Sequence, residues 1–509
     1  MKRLYLFTAG IFFLLGTTTR LSAQQKPNII VIYADDLGYG DISCYGMKRI
    51  QTPNIDQLAR QGVRFTNGYA TSATCTPSRY GILTGRYPWR QKGTGIAPGD
   101  ASLIIPTDHK TLPGMLQDAG YHTAAIGKWH LGIGNPGTTI DWNTELKPGP
   151  NEVGFNYSFI MPATLDRVPC VFVENHHVVN LDKNDPITVS YKHKVGNDPT
   201  GKENPEKLRM RTDPHQGHDQ TIIDSISRIG WMTGGNSARW KDENIAGIIT
   251  QKAISFIGEN KTNPFFIYFA SGDIHVPRYP NSMFRGKSGM GLRGDAILQL
   301  DWTVGQIVHA LDSLGLTQNT MIIFSSDNGP VLNDGYLDQA VELVGSHKPA
   351  GPLRGGKYSS FEAGARVPLI VKWPATIKKP SVSNALIGQI DFFSSLAKLT
   401  GQPIANDDAP DSFDMLQQLL GKSGKSRPYI ITQGNALALI EGDYKYITPS
   451  NGRKYADEVQ IEMGTDPAPQ LYNIKKDVFE KDNLAKKDPT KTNAMAEKLK
   501  AVSAAESSR

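Results

Sequence analysis

Asn28-Ile29-Ile30-Val31-Ile32-Tyr33 is an apolar run that leads directly into the paired acids Asp35-Asp36. A run with no polar alternation suits a strand covered on both faces, as in a parallel sheet. The same arrangement recurs three times. His122-Thr123-Ala124-Ala125-Ile126 leads into Gly127-Lys128-Trp129-His130, Phe265 to Phe269 leads to Asp273 and His275, and Met321 to Phe324 leads to Asp327-Asn328. Helical patterns, such as Asn54 to Gln61 and Ile245 to Ile257, lie between these runs. Strands alternating with helices predict an α/β fold, a large, mostly parallel sheet flanked by helices. In such sheets ligands bind beyond the carboxyl ends of the strands. Here the four strand ends carry Asp-Asp, Lys-His, Asp-His and Asp-Asn groupings, a concentration that unrelated surface loops do not need.

Outward from this frame the texture changes. Residues 134–239 are rich in Asn, Asp, Pro and Gly and read as an insertion on the rim of the sheet, within a catalytic domain spanning 24–420. Residues 329–356 form a second long loop. From about residue 421 short antiparallel strands are expected at Tyr429 to Thr432, Ala438 to Ile440 and Tyr444 to Ile447, with Glu441-Gly442-Asp443 as a turn. A polar helix, Thr490 to Ala505, completes a small C-terminal α+β subdomain, 421–509. At the other end, Lys2-Arg3, the apolar run Leu4 to Leu15 and the small residue Ala23 read as a signal peptide, 1–23, too short for a membrane span. Export is therefore expected, to the periplasm first and secretion second, with no membrane span after cleavage. The formal charge of +6 falls to +3 once Lys2, Arg3 and Arg20 are removed, which gives no case for nucleic-acid binding. At 39% hydrophobic and 20% charged residues, the chain is neither disordered nor fibrous. Its three cysteines make no disulfide framework; Cys44 and Cys170 either pair or stay thiols.

The chemistry follows from residue types. Asp35, Asp36, Asp327 and Asn328 offer only oxygen ligands, which suits Ca²⁺ or Mg²⁺ and not zinc; paired Asp residues also serve as helix N-caps. Cys75 precedes Pro77 and a helical Ser78 to Leu83, which places it at or near a helix N-terminus. Such a position favours an anion and would make a thiol a low-pKa nucleophile; the plain alternative is a buried structural cysteine. Arg79 lies one turn along. Lys128 and His130, two apart, point the same way in an extended segment. Lys357 follows Gly355-Gly356, a pair that allows close approach of backbone to ligand. Arg79, Lys128 and Lys357 together make a pocket for a tetrahedral anion beside a metal, with His130 and His275 as acid and base.

Cys75-Thr76-Pro77-Ser78-Arg79, continuing to Leu83-Thr84-Gly85-Arg86, resembles the type I sulfatase signature. The resemblance extends through Asp35-Asp36-Leu37-Gly38, Thr52-Pro53-Asn54-Ile55-Asp56, Gly127-Lys128-Trp129-His130, Ser326-Asp327-Asn328-Gly329, Gly355-Gly356-Lys357 and Gln470-Leu471-Tyr472-Asn473. It implies the alkaline phosphatase superfamily fold and conversion of Cys75 to formylglycine by a formylglycine-generating enzyme. It also implies Ca²⁺, ahead of Mg²⁺, held by Asp35, Asp36, Asp327, Asn328 and the modified Cys75. By the same resemblance His130 takes a proton from the nucleophile, His275 and Lys357 serve the leaving oxygen, and Arg79 and Lys128 hold the formylglycine. The residues before the His-x-Pro at His275 depart from the family pattern.

The implied substrate is a sulfated saccharide of mucin or glycosaminoglycan chains, attacked from its end at galactose or N-acetylgalactosamine, with a lean towards the 3-O-sulfate. The leading sugar contacts are His177 and Arg354, with His176, Asp166-Arg167 and the loop from Glu342 as further polar candidates. Two other readings stand beside this one: a phosphodiesterase or phosphonate monoester hydrolase of the same superfamily, and a non-catalytic binder of sulfated glycans.

Overall fold

The computed structural model describes residues 26–509; the expected signal peptide lies outside the described residues. A ten-stranded sheet runs through the molecule. Its strands are β1 (Asn28–Ala34), β2 (Val63–Phe65), β3 (His122–Lys128), β4 (Tyr157–Met161), β5 (Val173–Glu174), β6 (His177–Val178), β7 (Phe265–Ala270), β8 (Thr320–Ser326), β9 (Leu369–Lys372) and β10 (Ser381–Ser383). The spatial order is β10-β2-β9-β8-β1-β7-β3-β4-β5-β6. The five central strands, β8 to β4, are parallel. All seven residues of β1 are buried, as the unbroken apolar run predicts, and Val31 lies level with Tyr268 and Ile323 on its two sides. The register therefore brings four strand ends to one edge.

Helices α1 (Pro53–Arg60), α2 (Cys75–Thr84), α3 (Ile245–Glu259) and α4 (Gly291–Ser313) cover the sheet, with α4 packed on α1 and α3. Helix α2 is buried along its whole length, Arg79 included, and Pro77 sits in its first turn. It stops at Gly85, whose φ of +63° is left-handed; a Cβ there would meet Ala409 Cβ at 2.4 Å. The path of the chain into and out of α2 is thus set by sterics.

The stretch 134–239 is more than a rim insertion. Its first part supplies β4 to the parallel sheet and β5 and β6 to its antiparallel margin. The periodicity of these short pieces was hidden by the turn residues around them. The remainder forms small two-stranded ribbons. Beyond it, β11 (Ile430–Gln433), β12 (Leu437–Glu441), β13 (Tyr444–Ile447) and β14 (Gln470–Asn473) make an antiparallel sheet, and α5 (Pro489–Ala504) closes the chain. One face of this sheet packs Leu439, Tyr446 and Leu471 with Met495 and Leu499 of α5 and with Tyr87. The other packs Ala438, Ile440 and Tyr472 against Tyr69 and Phe361. Cys44, Cys75 and Cys170 are all free thiols, so Cys44 and Cys170 do not pair. No helix among the described residues is long and apolar enough to cross a membrane.

Candidate active site

The strand ends hold one another through backbone bonds. Asp35 N donates to Asp273 O at 2.9 Å, Ile274 N to Asp35 O at 2.8 Å, and Asp327 N to Ala34 O at 3.1 Å. Asp36 and His130 both take left-handed backbone, at φ +58° and +54°. That conformation costs a non-glycine residue on the order of 1 kcal/mol or more and persists only where surroundings enforce it.

On this frame charges pair in the interior. Arg79 donates to Asp327 Oδ2 from Nη2 at 2.7 Å and from Nε at 3.1 Å, and to Lys128 O at 3.1 Å. Lys128 Nζ donates to Asp35. Lys357 Nζ lies between Asp36 Oδ2 at 2.9 Å and Asp334 Oδ2 at 2.8 Å. Asn328 Nδ2 donates to Asp36 Oδ1 at 2.7 Å. The cluster thus sets four carboxylates against three cations, so it carries a surplus negative charge away from water. Burial and the neighbouring Asp327 push the Asp35 carboxyl well above its usual range. Burial works the same way on Asp36, but Lys357 and Lys128 outweigh it and hold that carboxyl down.

Two oxygens in the cluster, Asp35 Oδ1 and Asn328 Oδ1, are buried and have no hydrogen-bond partner. Ligand atoms of Asp35, Asp36 and His275 lie within 4.8 Å of one another. Orphaned hard oxygens in a negatively charged interior fit a divalent cation of the Ca²⁺ or Mg²⁺ type.

Cys75, at the first position of α2, puts Sγ 3.3 Å from His130 Nδ1. His130 Nε2 lies 2.9 Å from the Ala97 carbonyl, an acceptor, so Nε2 carries the proton and Nδ1 faces Cys75 bare. Burial, with Lys128 and Arg167 nearby, holds His130 neutral. Burial also pushes the Cys75 thiol up, despite Lys128 and Lys357. The expectation of a low-pKa thiol is therefore corrected: desolvation outweighs the helix end. His275 Nδ1 donates to Val276 O at 2.5 Å, leaving Nε2 3.9 Å from Asp36 Oδ2. Burial and Lys357 keep this ring neutral too.

Cys75, His275 and Lys357 open onto a cavity of about 1060 Å³. Asp166, Arg167 and His218 form part of its wall, with Arg167 Nη1 2.9 Å from both Asp166 oxygens and His218 Nε2 3.3 Å from Oδ2.

The sulfatase family model matches residues 27–402. The chain belongs to the sulfatase family. It is 55% identical over 509 residues to an N-acetylgalactosamine-6-O-sulfatase of Bacteroides thetaiotaomicron, covering 99% of each chain. Human arylsulfatase A is 31% identical over 490 residues, covering 92% of this chain and 86% of that one. A solved B. thetaiotaomicron structure, described under metabolism of multiple glycosaminoglycans, superposes with a TM-score of 0.92 at 57% identity, covering 94% of this chain and 99% of that one. This sulfatase is accordingly a sulfuric ester hydrolase with the alkaline phosphatase-like sheet.

The sulfatase fold gathers Asp35, Asp36, Cys75, Arg79, Lys128, His130, His275, Asp327, Asn328 and Lys357 in one buried cluster. It does not bring His177 or Arg354 to the cavity. His177 is exposed on the edge strand β6, and the β5–β6 turn points to the amino ends of the parallel strands, away from the chemistry. Arg354 is committed elsewhere, with Nε and Nη2 each 2.8 Å from Glu462 and the guanidinium 3.9 Å over the Phe361 ring. Sequence reasoning missed Asp334, Tyr358 and His218. Asp334 lacks a motif, being one acid in a long loop; the only signal for His218 was the polar cluster Asp213 to His218 within the insertion.

Proposed function

We propose that this sulfatase removes the 6-O-sulfate from terminal N-acetylgalactosamine of a sulfated glycan, through a formylglycine hydrate derived from Cys75. The observation that carries the mechanism is the placement of Cys75 against the bare Nδ1 of His130, among three buried cations and two orphaned oxygens. Position 6 and the sugar rest on the relative that is 55% identical along 99% of both chains. They replace the lean towards position 3, for which no residue of the cavity speaks.

In this reading Sγ of Cys75 marks where the two hydroxyls of the hydrate stand. One hydroxyl oxygen gives its proton to a carboxylate of the buried cluster and attacks sulfur, the S–O bond to the sugar breaks, and the sugar oxygen takes a proton from His275 or Lys357. His130 Nδ1 then takes the proton of the second hydroxyl, the carbon–oxygen bond to sulfate breaks, and the aldehyde re-forms. Covalent catalysis of this kind divides one difficult step into two easier ones. Sulfate entering beside His275 raises that ring's affinity for a proton, and Lys357 stays protonated between two carboxylates. Both are then placed to serve the leaving oxygen. Asp35, Asp36, Asp327, Asn328 and the modified Cys75 would hold Ca²⁺, whose chemistry there is to polarise nucleophile and sulfate. A formylglycine-generating enzyme is the maturation partner, and the periplasm is the working compartment.

Two measurements test this. Mass spectrometry of the Cys75 peptide reads conversion of thiol to aldehyde. Matched 3-, 4- and 6-sulfated N-acetylgalactosamines, with a phosphate ester as control, read position and ester type. An intact thiol in active protein overturns the mechanism, and faster turnover of the phosphate ester overturns the ester class.

A further inference from the structure

Tyr358 follows Lys357 and takes left-handed backbone, at φ +73°. That conformation is unfavourable for a bulky side chain and persists only where surroundings impose it. Neighbouring bonds impose it here. Tyr358 N donates to Ala73 O at 2.7 Å, and Lys357 N to Pro330 O at 2.9 Å. Asn435 Nδ2 donates to Tyr358 O at 3.2 Å. The first of these bonds ties the chain beside the lysine to the chain two residues before Cys75.

The side chain is held as firmly. Its ring packs on a small core of Val331, Ala456, Val459, Ile461 and Met463 beneath the cavity rim. At the rim Gln216 Nε2 and Asn333 Nδ2 both donate to the Glu458 carbonyl, at 2.9 and 2.8 Å, which joins loops from distant parts of the chain. From this seat Tyr358 lines the cavity together with Cys75 and Lys357. Its hydroxyl donates to Asp334 Oδ1 at 3.1 Å, while Asp334 Oδ2 accepts from Lys357 Nζ at 2.8 Å. Lys357 Nζ also lies 5.3 Å from the centre of the Tyr358 ring, within cation–π range. One side chain therefore addresses the lysine twice, through its carboxylate and through the ring. Burial and Asp334 push the phenol up, so it stays a donor.

A lysine is a point charge on a flexible stem, and an N–H that serves a leaving oxygen has to stand within about 3 Å of it. We propose that Tyr358 is the positioning residue for this step. Its hydroxyl keeps the Asp334 carboxylate from turning, and its ring backs the ammonium. Lys357 then meets the sugar oxygen as the S–O electron pair passes to that oxygen. Tyr358 itself yields no proton. The inference rests on the reading above in which Lys357 serves the leaving oxygen.

The test is Tyr358→Phe, which keeps the ring and removes only the hydroxyl. It is made alone and together with Asp334→Asn, in formylglycine-bearing protein acting on 6-sulfated N-acetylgalactosamine. Alone, it should lower kcat about fivefold and leave KM within about twofold. In the Asp334→Asn background it should cost less than about twofold more, because both substitutions act through one carboxylate. A change confined to KM would make Tyr358 a sugar contact and overturn the inference. Losses that multiply across the two substitutions overturn it too, since the hydroxyl would then act without Asp334. An unchanged kcat does the same. Failure of the underlying reading looks different: Lys357→Ala would leave kcat unimpaired, or the unsubstituted protein would leave the sugar sulfated, and the inference would fall with it.

Discussion

The floor and the rim of the cavity are built by opposite means. The floor takes its residues from the carboxyl ends of β1, β3, β7 and β8 and from the start of α2, elements buried almost throughout, and adds Lys357 from a loop. Its cations are each in contact with a carboxylate. The rim takes its residues from loops, and Arg453 and Asp457 stand exposed on it. A floor of this kind fixes chemistry, because each group there is held by several others; exposed charges such as those of the rim act through water and weigh less. The difference is sharpest at Cys75. Cys75→Ala removes the reacting atom and is expected to lower kcat by more than about 10⁴-fold, whereas no single rim substitution should change kcat/KM by more than about tenfold. Initial rates on one 6-sulfated substrate check both; a rim residue as costly as Cys75 would erase the distinction.

The metal offers a break in the same comparison that does not depend on turnover. The floor's surplus negative charge and its two orphaned oxygens make it a cation site. Calcium added to chelator-treated protein at about 100 times its Kd stabilises the fold by about 2.7 kcal/mol. The thermal midpoint should rise by a few degrees, and Asp327→Asn should abolish the rise. A midpoint indifferent to calcium in the unsubstituted protein would sink the cation site. Asp334 sits where floor meets rim, sharing Lys357 with Asp36 and accepting from Tyr358 OH at 3.1 Å. Asp334→Asn leaves Lys357 with one carboxylate, and an expected fall in kcat of about tenfold with little change in KM marks a positioning role. A change confined to KM would make Asp334 a sugar contact instead.

What was legible in the sequence divides along the same line. Strand ends are legible because a buried strand must be an apolar run, and a polar group immediately after it has few other reasons to be there. The strand ends alone point to Asp35, Asp36, Lys128, His130, Asp327 and Asn328, without help from any resemblance. The rim was not legible, because contact between Gln216 and Glu458 depends on loop closure across 242 positions, which no local pattern encodes. His177 and Arg354 fall outside the cavity for the same reason: polar loop residues look alike until the fold puts one at the far edge of the sheet, as with His177, or gives another a partner, as Glu462 does for Arg354. Asp166 and Arg167 were offered with them and do reach the cavity.

A smaller effect separates the floor from the contact that seats the C-terminal sheet. Lys445, on β13, lies 3.1 Å from Glu362 and 3.2 Å from Glu480, all three buried. Burial pushes the Glu480 carboxyl up to about 7; Lys445 opposes this and Glu362 adds to it. An unfolded glutamate titrates near 4.3. The folded state therefore holds this proton more tightly, and the stability it confers is full below about pH 4.3 and lost as pH rises through about 7. Asp273, also pushed up to about 7 by burial, titrates over the same window. Glu480→Gln should remove part of the fall in thermal midpoint between pH 5 and 8, and an unchanged slope would show that Glu480 is ionised throughout.

The smallest expected effect belongs to Arg354, and it tests whether closeness in sequence to Lys357 means closeness in function. The Arg354–Glu462 pair is partly exposed, with side-chain exposures of 27% and 48%. Such pairs contribute about 0–1 kcal/mol, and the stacking on Phe361 adds about 0.5–1 kcal/mol. Arg354→Ala should therefore lower the thermal midpoint by a degree or two. Glu462 is neighbour to Met463, which lines the cavity, so any functional effect has to pass through that backbone. The Glu462 carbonyl also accepts from Ser359 Oγ at 2.6 Å, an anchor that the substitution leaves in place. KM for a 6-sulfated sugar should then stay within about twofold of the unsubstituted value. A KM raised tenfold without loss of stability would mean that Arg354 leaves Glu462 to meet the sugar, and that the rim is less fixed than its hydrogen bonds indicate.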